Sequence, residues 1–315
     1  MGRNNYLFFC KKYFIFEINH NQPKMKLPLD DSIKDILKVK LDKMSKHLDG
    51  DIFNYFGQIH DGYEKVILKL VEDMVAAPDK KDKVFVILTT GGGSATAVER
   101  YVNIIRHHYK EVNFIVPDYA FSAGTIFCMS GDDIYMDYYS VLGPIDPQVK
   151  NKEDKWVAAL GYLDKINELI EKAKSNDLTQ AEFIILKDFD LAELKGYEQA
   201  KELTISLLKK WLVNYKFKNW KKHQTNPTLL GKTVTKKQKE ERAEEIAGLL
   251  GDNNLWKSHG RPINIETLEK DLRLKITDYS KDPILTGLIR EYYDMMSDYA
   301  NQIKSPIFVQ TKCFI

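Results

Sequence analysis

The sequence predicts an α/β fold, with a parallel β-sheet core and crossover helices, followed by a mostly helical C-terminal region. Short continuous apolar runs, typical of buried strands, alternate with segments whose apolar residues recur at helical spacing. This alternation repeats between residues 51 and 137, which favours right-handed strand–helix–strand units. After Val149 the strand-like runs stop and long helical patterns follow.

Each element of the first half rests on its own pattern. The strands are apolar runs that end at glycine, proline or charged residues, and the helices have one apolar face. In chain order we predict a lead-in helix over 32–48, a strand over 51–59, a helix over 62–77, a strand over 84–90, a helix around 98–105, a strand over 112–117, a helix after Ser122 and a strand over 133–137. Further helical patterns cover 163–173, 191–212 and 240–250.

These elements group into three parts. Residues 1–44 hold an aromatic N-terminal segment and the lead-in helix, residues 45–180 form the α/β core, and residues 181–315 form the helical region. A chain of 315 residues has ample length for such a core.

The composition excludes several classes of protein. With 43% hydrophobic and 29% charged residues and a formal net charge of +2, the chain is neither disordered nor strongly basic. Basic and aromatic residues interleave over 209–223, but a helix end with solvated lysines explains this better than a nucleic-acid surface. We therefore predict no nucleic-acid partner.

The cysteines and the N-terminus bear on location. Cys10, Cys128 and Cys313 match no disulfide or metal spacing, which favours a reducing, cytoplasmic setting. No set of histidine, cysteine and carboxylate residues has metal-ligand spacing, so we expect no metal, and we expect no cofactor. Lys11 and Lys12 divide the aromatic segment 5–18, and neither half could span a bilayer. Contact of residues 5–18 with a membrane surface is the alternative to a fully soluble protein.

Three consecutive glycines stand out, because Gly91, Gly92 and Gly93 lie between a buried strand and a helix start. Such a turn exposes backbone N–H groups at the positive end of a helix, where they suit an anion or a developing oxyanion. A simple tight connection is the alternative. Thr96 breaks the dinucleotide-binding pattern, and the "GKT" at 231–233 follows no strand, so neither nucleotide motif is supported.

Ser122 begins a helix after the next strand. Ala123 and Gly124 follow it and allow close approach, and the N–H of Ala123 is free at the helix start. Ser122 could simply cap the helix. However, this turn and the glycine turn follow neighbouring parallel strands, so both lie at the carboxyl edge of the sheet, where α/β folds build their sites.

Three stretches, in this order and spacing, resemble the serine dehydrogenase proteinase family, and a fourth further along the chain also resembles it. That family belongs to the wider Clp-protease and crotonase superfamily, in which signal peptide peptidase A is another relative. The resemblance covers roughly residues 51–278 and rests on "LTTGGGSATAVERYVNIIR", "VPDYAFSAGTIFCMSGDDIYMD", "SVLGPIDPQ" and "LWKSHGRPI".

The resemblance implies a Clp/crotonase-like fold and a serine peptidase. Ser122 occupies the nucleophile position, and Gly92 and Ala123 offer the oxyanion-hole amides. Clp proteases carry their histidine base in the segment that here reads "SVLGPIDPQ", which contains no histidine; Asp146 lies nearest to that position. This departure shifts the expectation from a Ser–His–Asp triad to a serine–lysine dyad.

Two residues are candidates for the general base. Lys165 lies beside the apolar stripe of the first helix after the core, and burial there would help it to lose its proton. His259 in "KSHGR" is the other candidate, because a long-range fold contact could bring it to the site.

We therefore predict a serine peptidase-like hydrolase acting on peptide or protein substrates, which assembles as a homo-oligomer like its relatives. A catalytically inactive scaffold on the same fold is the main alternative. A weaker one is acyl-CoA chemistry of the crotonase kind, with Asp146 as its carboxylate.

Overall fold

A computed structural model of the chain describes residues 28–150, 156–223 and 227–314. The helices are α1 (Pro28–Leu48), α2 (Glu64–Ala76), α3 (Ala95–His108), α4 (Ala123–Cys128), α5 (Ala159–Lys174), α6 (Gln180–Lys187), α7 (Leu191–Trp211), α8 (Lys236–Leu250), α9 (Asn253–Trp256), α10 (Ile265–Lys270) and α11 (Pro283–Gln302). The strands are β1 (Asp51–Gly57), β2 (Lys83–Thr89), β3 (Glu111–Ile115), β4 (Tyr119–Ala120), β5 (Asp133–Met136), β6 (Val141–Leu142), β7 (Gln148–Lys150), β8 (Trp156–Ala158), β9 (Ile263–Asn264), β10 (Thr277–Asp278) and β11 (Ile307–Thr311).

The main sheet has the strand order β10–β5–β3–β2–β1–β11. Neighbouring strands from β10 to β1 run parallel, and β11 pairs with β1 in the antiparallel direction. The strands β2 and β3 therefore end at the same edge of the sheet, and the glycine turn and the Ser122 turn both follow that edge.

Helices α2 and α3 cover one face of this sheet. Side chains at every second strand position, such as Val86 and Leu88 of β2, share a buried core with Leu70 of α2 and Val98 of α3. Helix α3 begins at this edge because the Ser94 hydroxyl accepts a hydrogen bond from the N–H of Ala97 at 3.1 Å.

A second, small sheet holds the segments that carry the candidate site. Strand β6 pairs with β4 in the parallel direction and with β9 in the antiparallel direction. The end of β4, the end of β6 and the start of β9 therefore lie at one edge. Each strand has two residues.

The C-terminal helices join the core through charged contacts at the turn before β5. A π-helix, Leu212–Lys216, follows α7 directly. Arg106 stacks on the Tyr215 ring at 3.7 Å and binds Asp132 at 2.7 Å, while Lys218 also pairs with Asp132. Lys216 binds Asp133 at 2.5 Å.

The predicted fold class is confirmed: a parallel-dominated α/β sheet is followed by a largely helical region. Each predicted strand of the core is present, although β1 ends at Gly57 rather than residue 59. The small sheet, β11 and the helix α11 were not predicted. The domain boundaries at 44 and 180 stay predictions.

The predicted contact between residues 5–18 and a membrane surface falls outside the described residues. Among the residues that are described, no helix is both long and apolar enough to cross a bilayer.

Candidate active site

Ser122 has a backbone conformation that is unusual for a residue with a side chain. Its φ is 53° and its ψ is −116°, outside the regions that L-residues favour. Its side chain is half-buried, and its hydroxyl neither caps α4 nor hydrogen-bonds to any other residue of the described chain. A strained serine with an uncommitted hydroxyl is typical of a functional position rather than of a helix cap.

The surrounding structure enforces this conformation. The N–H of Phe121 donates to the Thr90 carbonyl at 2.9 Å, and the N–H of Gly124 donates to the Phe121 carbonyl at 2.8 Å. The Thr125 hydroxyl lies 2.8 Å from both the Ala120 and Gly143 carbonyl oxygens, so it joins α4 to β4 and to the residue after β6. The turn is therefore fixed from both sides.

The glycine turn lies directly against Ser122. Gly92 has a φ of 112°, and a Cβ atom there would come within 2.8 Å of the Ser122 Cβ and 3.4 Å of its Oγ. Ile59 holds the turn from the other side: its N–H donates to the Gly92 carbonyl and its carbonyl accepts from Ser94, both at 2.9 Å. The predicted convergence of the two turns is thus present in the structure.

The backbone amides of the two turns differ in their partners. The N–H of Gly92, one of the two amides expected to stabilise an oxyanion, donates to the Thr90 hydroxyl at 3.0 Å. The N–H groups of Gly93 and Ala123 have no acceptor among the residues that the structure describes. Two amides without an acceptor therefore remain, one in each turn. Gly91 is exposed and has open space around it.

His259 and Asp146 form a hydrogen-bonded pair, although 113 positions separate them. The His259 Nδ1 atom lies 2.8 Å from the Asp146 Oδ1. The small sheet explains the meeting: Asp146 follows β6, His259 precedes β9, and Ser122 follows β4, all at the same edge.

The environment of this pair suits a base and its orienting acid. The Asp146 side chain is 2% exposed and its second oxygen accepts from the Gln148 amide at 3.0 Å, whereas the His259 side chain is 25% exposed. With Nδ1 committed to Asp146, the Nε2 atom is the ring nitrogen that can take up a proton. The Ser122 hydroxyl makes no hydrogen bond to His259 in this structure.

Lys165 has the environment of a surface lysine. It lies on α5 with its side chain 53% exposed, and its Nζ binds both carboxylate oxygens of Glu168, at 2.9 and 3.0 Å. A lysine that acts as a base needs a buried, apolar setting, whereas Lys165 lies at the surface beside a carboxylate.

In the described ranges, no group of histidine, cysteine and carboxylate side chains could hold a metal ion.

The family model described as "ClpP-like SDH-type serine proteinase" matches residues 48–233, which is more than half of the chain. The chain belongs to this family. The matched range includes the glycine turn, Ser122, Asp146 and Lys165, whereas His259 lies beyond it. The resemblance seen in the sequence motifs is confirmed.

Curated relatives match only part of the chain. Two uncharacterized proteins of Methanocaldococcus jannaschii are 34% identical over 151 residues and 31% identical over 126 residues. These matches cover 44% and 38% of the chain, and 50% and 43% of the relatives. The chain thus spans about half the length of the curated relatives it matches.

Solved structures of proteases are also similar. Two are mutants of the 1510-N membrane-bound stomatin-specific protease, the second in complex with a substrate peptide. Both have a TM-score of 0.30. The first is 22% identical and covers 39% of this chain and 59% of its own. The second is 23% identical and covers 50% of this chain and 77% of its own. The ClpP protease catalytic domain from Plasmodium falciparum has a TM-score of 0.29 and 14% identity, over 56% of this chain and 90% of its own.

Sequence reasoning missed several residues that shape the site. Thr90 binds the Gly92 amide, Ile59 brackets the glycine turn and Gln148 holds Asp146. Only Thr90 carried a signal, because a threonine directly before a glycine turn can bond to the turn amides. The His259–Asp146 pairing had none, since short strands far apart in sequence create it.

Proposed function

We propose that the chain is a serine peptidase in which Ser122 is the nucleophile, His259 the general base and Asp146 the residue that orients the histidine. The observation that carries this proposal is the 2.8 Å Asp146–His259 hydrogen bond at the sheet edge that also bears the strained Ser122. Membership of a serine proteinase family supports it.

The proposed reaction follows from the donors and acceptors in place. His259 Nε2 takes the Ser122 proton as the hydroxyl attacks a peptide carbonyl, and buried Asp146 stabilises the imidazolium. The developing oxyanion accepts hydrogen bonds from the free N–H groups of Gly93 and Ala123. His259 then returns the proton to the leaving amine, and water releases the acyl group by the reverse sequence.

The alternative base, Lys165, is disfavoured by its surroundings. Its ammonium is half exposed and ion-paired with Glu168, so it lacks the buried, apolar setting of a lysine base. His259 combines partial exposure with a buried carboxylate partner, which is the arrangement that a serine hydroxyl needs.

Ser122→Ala tests the proposal most directly. Its turnover of peptide substrates should fall roughly 10³-fold or more, because the nucleophile is absent. A fluorophosphonate probe should label the wild type at Ser122, as read by peptide mass spectrometry, and leave the variant unlabelled. Equal hydrolysis by the two proteins would refute the assignment.

A catalytically inactive scaffold is the second candidate. The missing Ser122–His259 hydrogen bond favours it, although catalytic hydrogen bonds are often long in ligand-free enzymes. A wild-type chain that binds peptides but resists the fluorophosphonate would support this alternative.

Assembly and location complete the proposal. Helix α6 carries Phe183, Ile184 and Ile185 with more than half of each side chain exposed, so a homo-oligomer that buries this surface is proposed. The cytoplasm is the proposed location, since no cysteine pattern calls for an oxidising compartment.

A further inference from the structure

A cavity of about 420 Å³ opens next to the segment that carries Asp146. Ile145 and Pro147, the two neighbours of Asp146 in the chain, form part of its wall. The other lining residues come from α5, α7, α8 and α9 and from the turn between α8 and α9. Its volume lies in the range of sites that bind small groups in proteins.

The floor of the cavity is apolar. Ile145, Leu160 and Ala247 are buried around it, and Ile205 is half-buried. Gly248 of α8 also faces this space, and a Cβ atom at Gly248 would meet no atom within 4 Å. The helix thus leaves room there for an apolar group from another molecule.

The rim of the cavity is acidic. Asp164, Glu244 and Asp252 contribute three carboxylates, against one ammonium from Lys201, so these four side chains carry a net formal charge of −2. Glu244 also pairs with Lys209 at 2.8 Å, and the Asp252 carboxylate caps α9 by accepting from the N–H groups of Asn254 and Leu255. Asp164 accepts a hydrogen bond from the Asn254 side chain at 3.3 Å and is the carboxylate of this rim with neither an ion pair nor a capping role among the described residues. A basic group at the mouth would be attracted, and an acidic one would be repelled.

The cavity touches both segments that hold the His259–Asp146 pair. The N–H of Ile145 donates to the Leu250 carbonyl at 3.0 Å, which fixes the Asp146 segment to the end of α8. Asn253 and Asn254 line the cavity from α9, which ends three positions before His259. The cavity is therefore walled by the chain segments that adjoin the proposed base and its orienting acid.

We infer that this cavity is a substrate subsite, which takes an apolar side chain of the bound peptide and favours a lysine or arginine next to that side chain. The inference rests on the proposed peptidase function. It adds a substrate class: peptides with an apolar–basic pair near the scissile bond.

The test uses the Ser122→Ala chain, which holds peptides without cleaving them, and two fluorescein-labelled alanine-based peptides. One contains a central Leu-Lys pair and the other a Ser-Glu pair. In fluorescence anisotropy titrations the Leu-Lys peptide should bind roughly tenfold more tightly, as burial of a leucine side chain predicts. Equal affinities, or no binding of either peptide, would overturn the inference.

Two further variants of the Ser122→Ala chain locate the binding. Gly248→Leu fills the cavity from a position with free space, so the affinity for the Leu-Lys peptide should fall roughly tenfold. Gly196→Leu is the matched control, because Gly196 is also an exposed helical glycine with no atom within 4 Å of a Cβ, but lies outside the cavity. Identical losses in the two variants would contradict the assignment.

If Gly248→Leu folds poorly, a variant that removes a charge from the rim tests the same subsite. Asp164→Asn should lower the preference for the Leu-Lys peptide over a matching Leu-Glu peptide by roughly fivefold, as expected for an exposed charge pair. Asp177→Asn, an exposed aspartate outside the cavity, should leave that preference unchanged. An unaltered preference in Asp164→Asn would count against the acidic rim.

The two proposals fail separately. If wild-type hydrolysis depends on Ser122 while Gly248→Leu binds as Gly196→Leu does, only the subsite is wrong. If the Leu-Lys preference depends on Gly248 while Ser122→Ala still hydrolyses peptides, only the nucleophile assignment is wrong.

Discussion

At Ser122 the backbone carries strain that its neighbours maintain. A positive φ on a non-glycine residue costs of order 1–3 kcal/mol, and it persists here because Thr125 and Phe121 are hydrogen-bonded on both sides of the turn. This conformation keeps the Ser122 hydroxyl from capping α4 and leaves it without a hydrogen bond beside the glycine turn.

Gly92 provides a first test at this scale. In Gly92→Ala the new Cβ would lie 2.8 Å from the Ser122 Cβ, so the serine must shift and turnover should fall at least tenfold. Gly62→Ala is the control, because Gly62 also has a positive φ of 98° but open space around it. Both variants should lose stability in chemical unfolding, yet only Gly92→Ala should lose activity. Equal activity in the two would contradict the role given to the glycine turn.

The choice of base gives a second test. Asp146→Asn keeps the shape of the pair but removes the charge that holds His259 in the required tautomer, so kcat should fall by roughly 10³- to 10⁴-fold. Lys165→Met should stay within about twofold of wild type, because it alters only a surface ion pair. Steady-state kinetics on one peptide substrate measures both. A large loss in Lys165→Met with an active Asp146→Asn would restore the serine–lysine dyad.

At the scale of elements, the arrangement of the site depends on very short strands. The sequence patterns predicted β1, β2, β3 and β5 because each is an apolar run with clear ends. Strands β4, β6 and β9 have two residues each, and no periodicity can appear over two positions. Their pairing is long-range, so the sequence supplied Ser122, Asp146 and His259 as candidates without showing that they converge.

Lys165 shows the other limit of sequence reasoning. A residue beside an apolar stripe can point toward the core or toward solvent, and helical spacing alone does not decide which. Here Glu168, one turn further along α5, binds the ammonium at the surface. By contrast, the glycine turn was predictable, since three glycines after a buried strand leave few other conformations.

The contacts of Arg106 with the turn before β5 and with the π-helix are testable at this scale. Arg106 and Asp132 have side chains less than a tenth exposed, and removing one partner of a buried pair costs about 3–5 kcal/mol. Arg106→Met also loses the stacking on Tyr215. Its free energy of unfolding should therefore fall by about 3 kcal/mol in urea, whereas Lys165→Met, at an exposed pair, should change it by less than about 1 kcal/mol. Similar values for both would show that this contact is not structural.

The same contact predicts a pH dependence. Burial alone would raise the pKa of Asp132, but Lys218, the Val112 N–H and Arg106 outweigh it and hold the pKa below its usual value. A carboxyl with a lowered folded-state pKa stabilises the fold above its unfolded pKa of about 3.9, and this contribution is lost as the pH falls through the folded value. Wild type should thus have a larger free energy of unfolding than Asp132→Asn at pH 7. The difference between the two proteins should shrink as the pH falls toward 3. A difference that is constant with pH in urea unfolding would contradict this origin.

At the scale of the whole molecule, exposed apolar residues differ in how they are grouped. Single exposed side chains such as Leu230 and Ile284 are ordinary on protein surfaces. Helix α6 is different, because Phe183, Ile184 and Ile185 are consecutive and no residue of that helix is buried. A capping box at Thr179 nonetheless stabilises the start of the helix. The three exposed apolar side chains therefore lie on a regular, capped helix.

The proposed oligomer can be tested at this helix. Ile184→Asp places a charge in the centre of the apolar group, and burying an unpaired charge in an interface is costly, so the assembly should dissociate to smaller species. Size-exclusion chromatography with light scattering measures the mass at several concentrations. Ile284→Asp is the matched control, because Ile284 is 65% exposed and Ile184 62%, but Ile284 lies on α11 without an apolar cluster. If both variants keep the wild-type mass, α6 is not the interface; if the wild type is monomeric at every concentration, the proposed homo-oligomer is wrong.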